Sequence, residues 1–196
     1  VQIDEVGALV TFTLVIDCGD PLSPGNSESI DRVNAGNLNN VSYAVSSGIF
    51  EVTHQYLDDK PTGDSDDDFT ATVTVIDDDG GDVKDSASVT IANLAPTIIG
   101  IAASQTVIDE NGQISVSGSI EDTGSLDTFT MDINWGDGTI SAASVDSTLR
   151  TFTAAHVYAD DKPGTASDSY TIAATVTDDD GGTDIVSTNV LVNNVA

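Results

Sequence analysis

The sequence contains very little positive charge. Its 196 residues include 5 Lys and Arg against 33 Asp and Glu, so the formal net charge is −28. Nucleic acids and anionic membrane surfaces are bound by clustered cations. We therefore expect no nucleic acid among the partners of this protein and no attraction to an anionic membrane.

Cysteine, aromatic residues and long apolar runs are also scarce. The single cysteine, Cys18, excludes a disulfide within the chain. No apolar run approaches the roughly 18 to 20 residues of a membrane span, so we expect no membrane insertion in this part of the protein. Aromatic residues make up 5% of the sequence, too few for an exposed sugar-stacking platform, and Trp135 is expected in the core.

The residues that are abundant predict an all-β protein. Val, Ile and Thr dominate the apolar runs, and β-branched residues favour strands. No stretch has the apolar spacing of a long helix. The sequence also shows no nucleophile paired with a base, no phosphate-binding glycine loop and no basic patch, so we expect that the protein is not an enzyme.

The acidic residues are mostly aspartate, with 28 Asp and 5 Glu, and the aspartates cluster in turns. Short carboxylates in loops are typical of Ca²⁺ sites. A generally acidified surface would also be rich in acidic residues, and aspartates in turns can simply cap their own backbone. The preference for Asp in loops favours calcium over the acidified surface.

An internal repeat divides the chain. The segment HQYLDDKPTGDSDDDFTATVTVIDDDGG (54–81) matches HVYADDKPGTASDSYTIAATVTDDDGG (156–182) with one gap, and residues 1–20 align without gaps on 118–137. We predict two tandem immunoglobulin-like antiparallel β-sandwiches, over residues 1–92 and 93–196. Repeat 1 then lacks its first strand or strands, and residues 21–40 form a long turn. Either the sequence begins partway through a repeat, or a neighbouring copy adds the strand.

Alternating apolar and polar residues predict seven short strands in repeat 2. These strands cover 97–103, 113–120, 128–135, 139–145, 150–158, 169–177 and 184–192. Seven short strands between Gly and Asp turns are typical of a two-sheet sandwich. The segment 93–97 (NLAPT) is a short linker containing proline.

The combination of DINWGDGT (132–139), HVY (156–158) and SYTIAATVTDDDGG (169–182) resembles the PKD (polycystic kidney disease) domain. The fuller pattern looks like the tandem PKD-like repeats of large bacterial surface proteins, notably of planctomycetes. The resemblance implies an extracellular immunoglobulin-like sandwich that serves as a spacer, adhesive or protein-contact module, with calcium bound in some members. Cys18 departs from the pattern, because repeat 2 has Trp135 at that position.

Two ends of each sandwich gather aspartates into possible metal sites. In repeat 2 the upper site, beside the linker, would use Asn93, Asp122, Asp127, Asp178 and Asp180, and its repeat 1 counterparts are Glu5, Asp77 and Asp79. The lower site of repeat 2 would use Asp137, Asp160, Asp161 and Asp168. Its repeat 1 counterparts are Asp20, Asp58, Asp59 and Asp67. Oxygen-rich shells of this kind suit Ca²⁺, and an ion at the junction of the repeats would fix their angle.

The two histidines, His54 and His156, each stand two residues before a tyrosine, Tyr56 or Tyr158. A zinc or catalytic role would need further His or Cys ligands nearby. We predict instead a packing corner in which each tyrosine hydroxyl binds the backbone.

These features predict a structural or adhesive spacer, stiffened by calcium, in a cell-surface protein or an extracellular filament. Its partners would be neighbouring repeats, copies of the same protein, or a surface protein or polysaccharide. An accessory binding module of a secreted hydrolase is the alternative. A remote alternative is a module that cleaves itself at the bond between Asp20 and Pro21.

Overall fold

The computed structural model describes residues 12–30, 41–44, 49–60, 62–160 and 165–195. Within these ranges the protein is all-β, with fifteen strands and no helix, as the composition predicts. The described residues accordingly contain no helix of the length and apolarity needed to cross a membrane. The chain groups into two compact units, unit 1 up to Ala92 and unit 2 from Asn93 onward, and the short segment Thr62–Ser65 clusters with unit 2.

Unit 2 is a sandwich of two sheets. The five-stranded sheet has the order β11-β10-β14-β15-β8, formed by Ile140–Ala142, Phe129–Asn134, Ser167–Asp178, Thr183–Asn193 and Val107–Asp109. The four-stranded sheet has the order β12-β13-β9-β7, formed by Ser144–Asp146, Thr151–Val157, Gln113–Glu121 and Thr97–Ala103. All pairings are antiparallel except that of β8 with β15.

Side-chain alternation explains how these strands enclose a core. On β14 every second residue from Tyr170 to Val176 is buried. Facing residues of the other sheet, such as Val116 and Phe152, are buried against them. Trp135 is fully buried, as the sequence predicts, and its Nε1–H donates to Ser141 Oγ at 2.9 Å.

Unit 1 contains a four-stranded antiparallel sheet of order β2-β1-β5-β6, formed by Ser27–Ile30, Phe12–Asp17, Asp66–Asp77 and Asp82–Ala92. A separate hairpin joins β3 (Val41–Ala44) to β4 (Ile49–Val52). The long hairpins of the two units have the same register: Asp67 faces Ile91 in unit 1 as Asp168 faces Val192 in unit 2.

A glycine in each repeat fixes the turn that follows the strand beside this long hairpin. Gly136 has a φ of +81°, and an added Cβ would stand 2.6 Å from the carbonyl oxygen of Thr171. Gly19 has a φ of +74° and the same distance to the carbonyl of Thr70. Because L side chains disfavour this conformation and the backbone leaves no room, both turns require glycine.

The seven predicted strands of repeat 2 coincide with observed strands, with two differences. The predicted strand 139–145 is divided at Ala143 into β11 and β12, which belong to different sheets. The chain crosses between sheets there while the N–H of Ala143 donates to the carbonyl of Met131 at 2.8 Å. The sequence pattern also missed β8, which is only 3 residues long and carries too little alternation to detect.

Candidate metal centre

The turn that joins β14 to β15 is organised by Asp178. Its backbone N–H donates to the carbonyl of Gly182 at 3.0 Å. Its Oδ1 accepts the N–H groups of Asp180 at 3.1 Å and Gly182 at 2.6 Å. The DDDGG motif thus forms a tight turn and occupies one oxygen of Asp178, as expected of an aspartate that caps its own backbone.

Several carboxylates converge beside this turn. Oxygens of Asp122, Asp127 and Asp178 lie within 4.8 Å of one another, and oxygens of Asp127, Asp179 and Asp180 form a second group of the same size. Ligand atoms on one Ca²⁺ ion lie at most about 5 Å apart, because each is about 2.3 to 2.6 Å from the ion. The spacing of both groups therefore suits a cation of this kind.

Burial makes this concentration of negative charge costly. Asp127, Asp178 and Asp180 are 8%, 6% and 4% exposed. Asp122 uses Oδ1 to accept the N–H of Gly124 at 2.8 Å, whereas its buried Oδ2 has no hydrogen-bond partner within the described residues. Crowded carboxylates with little access to water repel one another, and a bound cation would relieve that repulsion.

The segment that precedes β7 is attached to the same end of unit 2. The side-chain amide of Asn93 donates to Asp178 Oδ2 at 2.9 Å, and the N–H of Ile98 donates to Asp184 Oδ2 at 2.8 Å. All five residues predicted for the upper site of repeat 2 thus lie at this end of the unit. Their role as metal ligands stays a prediction, and in this geometry Asn93 orients Asp178.

Two further residues of this site were missed by the sequence analysis. Asp179 belongs to the second carboxylate group, and its Oδ1 accepts the N–H of Thr128 at 2.8 Å. Asp179 could have been predicted from the sequence, because it lies inside the DDDGG motif between two residues that were predicted. Arg150 donates to the carbonyls of Asp122 at 3.3 Å and Gly124 at 2.7 Å, and its guanidinium lies 5.0 Å from the ring centroid of Phe129. No sequence pattern connects Arg150 with that loop.

The corresponding turn of unit 1 has the same backbone and a different environment. Asp77 Oδ1 accepts the N–H groups of Asp79 at 3.1 Å and Gly81 at 2.6 Å, as its counterpart does in unit 2. Asp77 is however only half-buried and Asp79 is exposed. The third predicted residue, Glu5, lies outside the described residues. Within the described part of the chain, Asp77 and Asp79 belong to no group of three ligating side chains.

Among the described residues, Asp137, Asp160 and Asp168 of the predicted lower site of unit 2 belong to no group of three side chains that could hold a metal. Asp137 Oδ2 pairs with His156 Nε2 at 2.7 Å, and Asp137 Oδ1 accepts the N–H of Thr139 at 2.9 Å. Asp160 is exposed, and Asp168 accepts the hydroxyl of Thr165 at 2.6 Å. Asp161 lies outside the described residues. Ligation by these residues stays a prediction.

The predicted lower site of unit 1 is buried. Asp20 pairs with His54 Nε2 at 3.1 Å, and Asp58 pairs with Lys60 Nζ at 3.2 Å. Asp59 is 3% exposed, and its Oδ2 has no hydrogen-bond partner within the described residues. Burial raises the pKa of Asp59, and the negative charges of Asp58 and Asp67 raise that pKa further. The role of these residues as metal ligands stays a prediction.

The two histidines belong to packing corners, as predicted. The hydroxyl of Tyr158 donates to the carbonyl of Trp135 at 2.7 Å, and the hydroxyl of Tyr56 donates to the carbonyl of Cys18 at 3.1 Å. His156 stacks on Trp135 with ring centroids 4.8 Å apart. Within the described residues, neither histidine belongs to a group of three side chains that could hold a metal.

Asp20, which precedes Pro21, is held by hydrogen bonds. Its Oδ1 accepts the N–H of Ser23 at 3.2 Å while Oδ2 faces His54. Burial raises the pKa of Asp20, but the hydrogen bonds with Ser23 and His54 outweigh that effect and lower it. Self-cleavage of the bond to Pro21 stays a prediction.

Comparison with known proteins shows likeness of fold alone. No protein family matches the sequence, and no curated protein matches it. The chain is similar in structure to murine CEACAM1b, with 8% identity, a TM-score of 0.35, and coverage of 97% of this chain and 89% of that one. It is also similar to the N-terminal eight Ig domains of Down Syndrome Cell Adhesion Molecule, with 13% identity, a TM-score of 0.40 and coverage of 93% and 20%.

A third similar structure is the ectodomain of human desmocollin-1, with 14% identity and a TM-score of 0.33. That likeness covers 93% of this chain and 34% of the desmocollin chain. Identities and TM-scores this low support no conclusion about function, and the resemblance to PKD domains stays a prediction.

Proposed function

We propose that this chain is a structural or adhesive spacer of an extracellular or cell-surface protein, built from PKD-like β-sandwich repeats and stiffened by Ca²⁺. The observation that carries the proposal is the convergence of Asp122, Asp127 and Asp178 within 4.8 Å at one end of unit 2. The buried carboxylates of Asp58, Asp59 and Asp67 in unit 1 support it independently.

The position of the upper cluster explains what the ion would do. Asn93 binds Asp178, so a cation held by these carboxylates would also fix the segment before β7 to unit 2. A binding site that is occupied only in the folded state stabilises by about 1.4 kcal/mol when the ligand is tenfold above its Kd. Extracellular Ca²⁺ modules bind with a Kd of about 10⁻⁴ to 10⁻³ M. Millimolar Ca²⁺ outside a cell would therefore keep the repeats rigid.

Thermal unfolding in excess EDTA, in millimolar Ca²⁺ and in Mg²⁺ tests this function. We expect Ca²⁺ to raise the Tm by several degrees, since about 1 kcal/mol shifts the Tm of a domain of this size by about 4 to 8 °C. Mg²⁺ should have a smaller effect, because it demands a stricter geometry. Equal Tm values in all three conditions would refute the metal site.

A matched pair of variants locates the effect. Asp122→Asn keeps an oxygen for the N–H of Gly124 and removes one charge, so it should lose most of the calcium-dependent rise while its Tm in EDTA is unchanged or higher. Asp132→Asn makes the same chemical change at an exposed position on β10 and should keep the full rise. Loss of the rise in both variants would point to bulk charge instead of a site.

A second candidate function, an accessory binding module for polysaccharide, is favoured by one observation. The four-stranded sheet bears a shallow groove of about 810 Å³ whose lining combines apolar residues such as Ile99 with hydroxyl side chains, among them Ser117, Ser144 and Thr153. Small-molecule sites have volumes of about 300 to 1,000 Å³. Retention of the wild-type chain on immobilised polysaccharide, lost in Thr153→Lys, would support this alternative.

A further inference from the structure

Arg150 lies in the turn between β12 and β13 and has an unusual backbone conformation. Its φ is +50°, in the left-handed region that residues other than glycine seldom adopt. When the His-x-Tyr motifs of the two repeats are aligned, repeat 1 has Gly48 at this position. Glycine adopts a positive φ without a steric cost. Repeat 2 thus has an arginine where the backbone conformation favours glycine, and such outliers point to a function of the side chain.

The side chain of Arg150 is attached to the loop that carries two aspartates of the candidate metal centre. One guanidinium nitrogen donates to the carbonyl of Asp122 at 3.3 Å, and another donates to the carbonyl of Gly124 at 2.7 Å. The guanidinium also lies 5.0 Å from the ring centroid of Phe129, a distance at which a cation and an aromatic ring attract each other. Arg150 therefore holds both ends of the segment 122–124 in place.

The segment 122–124 in turn sets the position of two carboxylates. Asp122 Oδ1 accepts the N–H of Gly124 at 2.8 Å, so this side chain and the carbonyls bound by Arg150 belong to one hydrogen-bonded turn. The carboxylate of Asp127 packs so closely against Gly124 that a Cβ added there would collide with it. Asp122 and Asp127 both belong to the group of oxygens that lie within 4.8 Å of one another. A shift of this segment would therefore move two of the three members of that group.

The contacts of Arg150 organise the loop without neutralising it. Within the described part of the chain Arg150 forms no ion pair with a carboxylate, because its guanidinium donates to carbonyls instead. We propose that Arg150 is a positioning residue of the candidate metal centre, a role that rests on the calcium binding proposed above. It holds Asp122 and Asp127 at ligand spacing and so raises the affinity for Ca²⁺. The positive charge by itself would act in the opposite direction, since it repels a second cation.

A Ca²⁺ titration of the full chain, followed by the amide NMR signal of Gly124, tests this role. Arg150→Lys keeps the charge but lacks the planar fork that reaches two carbonyls. We expect this variant to raise the Kd for Ca²⁺ by about tenfold, since loss of a residue that orients metal ligands costs about 10- to 100-fold in affinity. An effect of the charge alone predicts the same Kd as in the wild type. An unchanged Kd would therefore overturn the proposal.

Arg150→Gly gives repeat 2 the residue of repeat 1 and suits the positive φ. We expect its Kd to rise at least as much as that of Arg150→Lys, although the variant removes a positive charge near the site. A lower Kd would overturn the proposal, because Arg150 would then act by repelling the ion. Lys84→Gln is the control, since it removes a positive charge at an exposed position of unit 1. It should leave the Kd nearly unchanged, and a rise equal to that of Arg150→Gly would also overturn the proposal.

Hydrogen exchange of the Gly124 amide in EDTA separates the role of Arg150 from the calcium site. We expect this amide to exchange about tenfold faster in Arg150→Lys and Arg150→Gly than in the wild type, because the turn loses hydrogen bonds from a charged donor. A wild-type Gly124 signal that does not respond to Ca²⁺ would refute the metal site, and with it the role of Arg150 in binding. A wild-type response to Ca²⁺ combined with unchanged exchange in both variants would refute the role of Arg150 alone.

Discussion

The two units share the same hydrogen bonds around a glycine turn but differ in the buried residue that precedes this glycine. In each, a tyrosine hydroxyl binds the carbonyl of the residue before a glycine turn, and a histidine pairs with the aspartate that follows this glycine. The residue whose carbonyl is bound is Trp135 in unit 2 and Cys18 in unit 1, and both are buried. The repeated motifs thus specify the corner geometry, whereas the volume at the centre is set by a single residue that the repeats do not share.

The largest expected effect follows from giving unit 2 the smaller core residue that unit 1 has at the equivalent position. Trp135→Cys removes a fully buried indole that stacks on His156 and donates to Ser141. We expect unit 2 to lose about 3 to 5 kcal/mol, the usual cost of large-to-small changes at buried aromatic sites. Urea unfolding measures it, with Leu149→Ala at a 70% exposed position as the control. A loss under about 1 kcal/mol would mean that unit 2 tolerates the smaller centre.

Removing the tyrosine hydroxyls tests whether the shared corner is equally important in both units. Tyr158 is 1% exposed and its hydrogen bond is 2.7 Å long, whereas Tyr56 is half-buried with a bond of 3.1 Å. Tyr158→Phe leaves a buried carbonyl without its donor and should cost about 1 to 3 kcal/mol. Tyr56→Phe should cost less, since water reaches the vacated carbonyl more easily. Urea unfolding of both variants that gave the reverse order would contradict this account.

The smallest expected effect concerns acid stability. Burial raises the pKa of Asp137, but hydrogen bonds from Thr139 and His156 outweigh it and hold that pKa below 3.8. A carboxyl with a lowered pKa in the folded state contributes stability that is complete above the unfolded value and is lost as the pH falls through the folded value. Unfolding scans from neutral pH to below pH 3.8 should therefore show a shallower decline for Asp137→Asn than for the wild type. Equal declines would remove Asp137 from the acid response.

The fold was predictable because its signals are local. Alternation identified β14 and β15, and the DDDGG motif identified the turn that joins them. The division at Ala143 was not predictable, because a strand that changes sheets keeps the same alternation on both sides. The pairing of Asp137 with His156 was missed for a related reason, since it joins residues far apart in sequence that only the folded corner brings together.

The candidate metal site was also predicted in part: the residues with a sequence signal were found, and those without one were missed. Asn93, Asp122 and Asp178 were grouped from the placement of their loops, and the structure brings their side chains to one end of unit 2. Arg150 could not be found in this way, because it binds two carbonyls of the acidic loop, and carbonyls carry no sequence signature.

The parallel pairing of Val107–Asp109 with Leu191–Asn193 gives unit 2 a mechanical property. β7 and β8 both lie in the first part of the unit's chain, and β15 ends it. Because β8 is parallel to β15, tension that reaches β8 after β7 has detached pulls the two strands in opposite directions along their common axis. The hydrogen bonds from Leu191 and Glu110 are then loaded together in shear, instead of opening one after another. Bonds loaded in shear must break together, so we expect this short strand to resist extension of unit 2 once β7 has detached.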